Sequence, residues 1–342
     1  MMLPNYSKGA DLVLGKEDDG IYCLPTGELP GQSINLSSSS NAPMWQASCI
    51  SGVALRSVWT VIQPYKGVYD WSFFDQGLTL AQQNNKKISL SVAAGGYSPD
   101  WLINEGAAYL NITMQTNFLP QPQYAQMVLP WDPTFKREWS TFVQAMATRY
   151  DGNPNVAYVY IGGAGFYIET YVVRTQQDYN AFNAVGGLPK WIQGAKAVID
   201  MYGSSFKNTP FLMAVANPVS QIASAQAAGE SAVEEVVNYG LARYPGRFGI
   251  ASDSLNDNSA TTGSTYFVNQ MINQNSATSP VGFQMLGAAT NSSPTSGMAD
   301  LYTAVAAGVQ MGGQYIEVYQ RDCLNPQYTQ MLSRANAYLK AN

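Results

Sequence analysis

The stretch 52–101, GVALRSVWTVIQPYKGVYDWSFFDQGLTLAQQNNKKISLSVAAGGYSPDW, places a helix signal between two strand signals. In its first segment Val53, Leu55 and Ser57 alternate with Ala54, Arg56 and Val58, the period of a β-strand. The alternation returns over 87–94, where Ile88, Leu90 and Val92 share a face, and 73–85 between them suits a helix. Strand, helix and strand in that order predict neighbouring parallel strands joined by a crossover. Arg56 needs a reason to be there, because a charge inside an apolar strand is costly unless it is paired. Trp59 and Tyr65 follow the first strand, and Tyr97 and Trp101 the second. In a barrel of parallel strands those loops form the functional face. The competing reading of each tryptophan is plain core packing.

Five further apolar runs continue the alternation, at 156–162, 211–217, 248–252, 281–286 and 314–319. Helical spacing fills the intervals at 136–150, 188–202, 232–244, 266–275 and 296–308, with a closing helix over 326–340. That makes seven strands. The eighth is expected before Gly52, in 11–14 or in Gly20–Leu24, so residues 1–51 supply an N-terminal strand and loops that close the sheet. The expected class is α/β, a (β/α)8 barrel forming a single domain over 1–342; the length accommodates one barrel and no second large domain.

Composition narrows the chemistry. Hydrophobic residues make up 46% and charged residues only 12%, so the surface is polar but weakly charged. A net charge of −5 and a pI near 4.8 argue against nucleic acid as a partner. No histidine is present, which excludes Ser-His-Asp and Cys-His catalysis and any imidazole metal site, and leaves carboxylates as the main acid–base groups. No phosphate-cradling glycine fingerprint is found either, so no metal or cofactor is expected. Cys23, Cys49 and Cys323 allow one disulfide, with Cys23 and Cys49 the nearer pair, or three buried thiols. No apolar run has the length of a membrane span and no secretory leader is read at Met1. The low charge and abundant Asn, Ser, Thr and Tyr point to an extracellular or cell-surface setting.

The segments GVALRSVW (52–59), QPYKGVYDW (63–71) and SPDWL (98–102) resemble the first third of the TIM-barrel glycoside hydrolases, near the beta-galactosidase-like and cellulase-like members of the large retaining clan. LPWDPTFKREWSTFVQAMATRY (129–150) and the DGNP after it are similar to the helix and tight turn that lead into the fourth strand of such enzymes. The resemblance covers 52–169. It implies a carbohydrate substrate and two carboxyl groups flanking a glycosidic bond.

Strand polarity and the resemblance together nominate the site. In 314–319 the aliphatic Ile316 and Val318 face the outer helices, so Tyr315, Glu317 and Tyr319 point into the barrel. A buried, inward glutamate is either functional or held in an ion pair with Arg56 or Arg321. Glu169 lies in YIGGAGFYIET (160–170), beyond the fourth strand, where the resembling enzymes carry their acid/base glutamate. There it is often preceded by asparagine; here Ile168 precedes it. The family nucleophile usually ends the seventh strand, and 281–286 offers only Gln284. Three explanations stay open: Glu317 on the next strand has taken the role, the strand count is shifted by one, or the barrel no longer hydrolyses glycosides. The resulting expectation is a retaining hydrolase with Glu169 as acid/base and Glu317 as nucleophile, their carboxyl groups about 5 to 5.5 Å apart. Arg56, Trp59, Trp101, Tyr160, Asp253, Gln284, Tyr315 and Tyr319 are expected to bind substrate, with Asp253 and Asp322 as reserve acids. The alternative is a glycan-binding or structural barrel without turnover.

Overall fold

The computed structural model describes residues 17–25, 34–114, 123–262, 266–290 and 298–341. Ten strands appear there: β1 (Gly20–Leu24), β2 (Gly52–Val58), β3 (Lys87–Ala93), β4 (Tyr109–Met114), β5 (Gln123–Val128), β6 (Val156–Tyr160), β7 (Phe211–Ala214), β8 (Phe248–Leu255), β9 (Val281–Met285) and β10 (Tyr315–Tyr319). Eight of them close into a parallel barrel in the order β1-β10-β9-β8-β7-β6-β3-β2, and β4 and β5 form a separate antiparallel hairpin. Helices surround the sheet, as the strand–helix alternation predicts, and the fold is a (β/α)8 TIM barrel.

The first strand is Gly20–Leu24, registered on β10 through pairs such as Tyr22 with Glu317, while the competing segment 11–14 lies outside the described residues. This fixes the strand count. β9 is the seventh barrel strand and β10 the eighth, so the absence of a carboxylate from β9 is real and not a miscount. β8 runs on to Leu255, past the expected end at residue 252, so Asp253 sits within the strand and not in the loop after it. The pairing of β8 with β9 shifts register between Ser252 and Leu255.

The helix Pro133–Tyr150 shows how the outer layer is specified. Asp132 caps it by accepting a hydrogen bond from the Phe135 N–H at 2.9 Å, and Pro133 occupies the first turn, where its missing N–H costs nothing. Phe135, Trp139, Phe142, Val143, Met146 and Tyr150 recur at helical spacing and are buried against the sheet. The helix ends at Asp151; Gly152, at φ 72°, takes the left-handed turn that feeds β6.

The barrel interior is unusually aromatic. Tyr22, Tyr158, Tyr160 and Tyr315 are all at most 1% exposed, and the Tyr158 and Tyr315 rings stack with centroids 4.1 Å apart. Glycines opposite them make the room: a Cβ on Gly52 would run into the Tyr22 ring, and one on Gly282 into the Tyr315 ring. Bulky and absent side chains thus interleave on neighbouring strands to fill the lower barrel.

The cysteines are three buried free thiols, and no disulfide joins Cys23 to Cys49. Burial raises the Cys323 thiol well above its ordinary value, with Cys23 beside it adding to the effect. Among the described residues no helix is long and apolar enough to cross a membrane.

Candidate active site

Three side chains from three strands meet inside the upper barrel. Arg56 points inward from β2, Asp253 from β8 and Glu317 from β10; their side chains are 9%, 4% and 0% exposed. Arg56 Nη2 donates to Glu317 Oε2 at 2.9 Å, and the same nitrogen lies 3.9 Å from Asp253 Oδ2. Glu317 also accepts a hydrogen bond from the Tyr158 hydroxyl at 3.1 Å on its other oxygen. Below it the Tyr315 hydroxyl donates to that of Tyr160 at 2.9 Å. The charge of Arg56 is therefore answered by Glu317, the ion pair that polarity rules demand of an arginine in an apolar strand.

Burial pushes the Glu317 carboxyl up, and Arg56, Tyr158 and Tyr160 work against that rise. Asp253 is pushed up to about 8 by burial that Arg56 only partly offsets and to which the charges of Glu169 and Glu317 add. Unlike Glu317, Asp253 has no hydrogen-bond partner on either carboxyl oxygen.

Glu169 reaches this neighbourhood by a different route. The loop after β6 is glycine-rich and folds back on itself, with Gly96 N–H donating to Phe166 O and Phe166 N–H to Tyr171 O. A Cβ on Gly165 would strike the Glu169 carbonyl, so only glycine lets the loop close this tightly. Thr170 then pins it. Its N–H donates to Ala214 O at the end of β7, and its hydroxyl bonds both the carbonyl and the N–H of Ala216. Glu169, one residue earlier, is half-buried over the barrel mouth, near enough for its charge to act on Asp253, Tyr97 and Tyr319. Its Oε2 is buried and accepts no hydrogen bond from the protein.

Of the residues expected to bind substrate, Arg56, Tyr160, Asp253, Gln284, Tyr315 and Tyr319 lie on inward positions of the barrel strands. Gln284 pairs in register with Glu317 and its buried Oε1 has no partner. Trp59 does not join them. The chain turns straight from β2 into a short helix at Trp59, which sends the indole outward among Trp101, Phe135, Trp139 and Phe142, where it is 0% exposed and has no free face for a sugar. Trp101 packs edge-on against it and donates its indole N–H to Gln63 O, leaving it half-buried in that same outer cluster. Asp322 is also structural: its two oxygens accept from the backbone of Ala289 and Thr290 and from the Thr290 hydroxyl.

Sequence reasoning passed over Tyr158 and Ser91. Tyr158 shares the inward face of β6 with Tyr160, two residues on, and holds the Glu317 carboxylate. Ser91 pairs in register with Arg56 and its buried hydroxyl has no partner. Period-two extrapolation from Tyr160 and from Arg56 across the β2–β3 pair finds both.

Comparison with known proteins agrees with this architecture. A search of curated proteins finds no match. Among solved structures the chain is similar to the beta-galactosidase of Marinomonas ef1, with 10% identity and a TM-score of 0.55 over 94% of this chain and 59% of that one. It is also similar to the beta-galactosidase of Rahnella sp. R3, with 10% identity and a TM-score of 0.56 over 98% and 58%. The catalytic domain of beta-amylase from Paenibacillus polymyxa matches at 11% identity with a TM-score of 0.60 over 94% and 99%. The chain thus spans somewhat under three-fifths of each beta-galactosidase and the full length of the beta-amylase domain; at these identities the likeness shows the fold. The sequence itself matches the glycoside hydrolase family 42 model, described as beta-galactosidase, over residues 40–218. That segment is more than half of the 342 residues, and the chain belongs to this beta-galactosidase family of glycoside hydrolases.

Proposed function

We propose that the barrel hydrolyses a glycosidic bond, with a β-galactoside as the substrate class, by a retaining mechanism. The observation that carries this reading is the set of buried acceptors gathered at the barrel mouth. Glu169 Oε2, both oxygens of Asp253 and Gln284 Oε1 are buried without a hydrogen-bond partner in the protein, and Asp253 Oδ2 lies 3.9 Å from Arg56. Buried polar oxygens are costly unless they are hydrogen-bonded, and a sugar presents a ring of hydroxyls that can both donate and accept.

In the first step a Glu317 oxygen attacks the anomeric carbon while the bond to the leaving oxygen breaks, and Glu169 gives that oxygen its proton. Water then attacks the glycosyl ester, Glu169 takes up the water proton, and the Glu317 carboxylate is released. Arg56 favours the ionised form of Glu317 at the start and end of the cycle. The supporting geometry is the Arg56–Glu317 contact and the Thr170 anchor that brings Glu169 over the mouth. The test is turnover of a panel of aryl glycosides, including nitrophenyl β-galactoside, from pH 3 to 8 by the native protein, Glu169→Gln and Glu317→Gln. Loss of turnover in both folded variants is expected; undiminished turnover by Glu317→Gln would refute its role.

One observation favours a second reading, a barrel that binds glycans without cleaving them. The seventh strand carries Gln284 where the resemblance leads one to expect the nucleophile, and Glu317 is already engaged by Arg56 and Tyr158. An oligosaccharide bound tightly and recovered intact after long incubation is the outcome that selects it.

A further inference from the structure

Asp253 poses a problem that the Glu169–Glu317 pair does not solve. A carboxylate in the interior needs donors, and Asp253 has no hydrogen bond to either oxygen, while the nearest cation is committed to Glu317 at 2.9 Å and stands 3.9 Å away. Two anions and one guanidinium leave a net buried negative charge, whereas one anion, one guanidinium and a neutral acid are balanced. A neutral carboxylic acid differs from a carboxylate in kind, since it carries an O–H donor.

The position of that donor matters. Asp253 Oδ2 and Glu317 Oε2 flank the same arginine nitrogen, so they are separated by no more than those two contact distances laid end to end. A ligand within reach of Glu317 is therefore within reach of Asp253. Resting on the sugar-binding reading above, we propose that Asp253 is a ligand-orienting residue whose carboxylic acid O–H donates a hydrogen bond to an oxygen of the sugar held at the barrel mouth. The unpartnered amide oxygen there, Gln284 Oε1, can only accept, so Asp253 supplies the complementary contact to a sugar oxygen's lone pair. The charged and titratable groups facing it are Arg56, Glu317, Glu169 and the hydroxyls of Tyr160, Tyr315, Tyr319 and Tyr266. Burial raises all four tyrosines, so they stay neutral as Asp253 titrates.

The acid holds its proton up to about pH 8, and its ionisation above that removes the donor and sets a second negative charge beside Glu317. The experiment uses isopropyl β-thiogalactoside, whose sulfur link resists hydrolysis, with calorimetric titration at pH 6 and pH 9. Native protein is expected to bind at pH 6 and to weaken about tenfold or more at pH 9, the size of one hydrogen bond lost to a buried polar group. Asp253→Asn keeps an N–H donor that does not titrate and should lose the pH effect; Asp253→Ala should bind weakly at both values. Alanine binding as tightly as native at pH 6, a pH effect that survives in Asp253→Asn, or no binding by native protein would each overturn the proposal. Thermal melts give a readout that needs no ligand. Because the folded Asp253 is raised, native protein should lose stability relative to Asp253→Asn as pH climbs from about 4 to 8, and parallel curves would refute the buried acid. Turnover is not used, so failure of the hydrolase reading, seen as silence on nitrophenyl β-galactoside, is separable from failure of this one.

Discussion

Replacing Arg56 by Met tests the electrostatic centre of the barrel. The substitution keeps the apolar stem of the side chain and removes the only cation within 4 Å of the Glu317 carboxylate among the described residues. Glu317 is 0% exposed, so once its partner is gone no water answers the charge, and the Tyr158 hydroxyl at 3.1 Å is a neutral donor that offsets only part of it. Breaking a buried ion pair from one side costs about 3 to 5 kcal/mol. The pH sign follows from the direction of the Glu317 shift. Its carboxyl is already raised by burial, and loss of Arg56 raises it further. A raised acid contributes stability that is present below its unfolded value, near pH 4.3, and is lost as pH rises through the folded value. The deficit of Arg56→Met should therefore be small near pH 4 and larger at pH 7. Urea unfolding midpoints at the two pH values measure it, with Arg56→Met/Glu317→Gln completing a double-mutant cycle. The double variant should recover much of the loss, because a neutral amide in place of the anion leaves no buried charge. A deficit independent of pH, or a double variant no better than the single, would show that Arg56 contributes packing and not charge.

Two further substitutions probe how the site is held. Thr170→Val removes the hydroxyl that bonds Ala216 on both sides while keeping the side-chain shape, so the loop carrying Glu169 should loosen; faster amide exchange over 161–173 with a reduced kcat and a melting temperature close to native is the expected pattern. Gly282→Ala places a methyl against the Tyr315 ring, which is itself bonded to Tyr160, and should cost about 1 to 3 kcal/mol by overpacking, read as a lower urea midpoint.

Much of the barrel was legible because parallel strands buried on both faces still sort their residues by period. Ile316 and Val318 pointing outward were enough to send Tyr315, Glu317 and Tyr319 inward, and the same parity gives Arg56, Asp253 and Gln284. What local pattern does not carry is closure. Whether 11–14 or Gly20–Leu24 was the first strand depends on pairing with β10, some 300 residues away in sequence. The hairpin of β4 and β5 was missed although Leu110 and Ile112 are buried and Asn111 between them is exposed, since it stands outside the strand–helix rhythm that guided the reading. Trp59 was misplaced for a different reason: strand parity puts residue 59 outward, and it is the helical turn starting there, not an open loop, that fixes the indole among the outer aromatics.

The departure from the family pattern is best understood through register. Glu317 is the direct neighbour of Gln284, one strand over at the same height, so a carboxylate has not vanished from the mouth but stands one strand further round than the resemblance leads one to expect. Arg56 on β2 lies nearer to β10 than to β9 around the barrel, because only β1 separates them: Tyr22 of β1 pairs with Glu317 on one side and with Gly52 on the other. An arginine on β2 can therefore close on β10 across the mouth at 2.9 Å, and that contact makes a buried glutamate tolerable there. Asp253 on the far side is left without a donor by the same arrangement, which is why its protonation, and not that of Glu317, should report whether the rearranged mouth is built for a sugar.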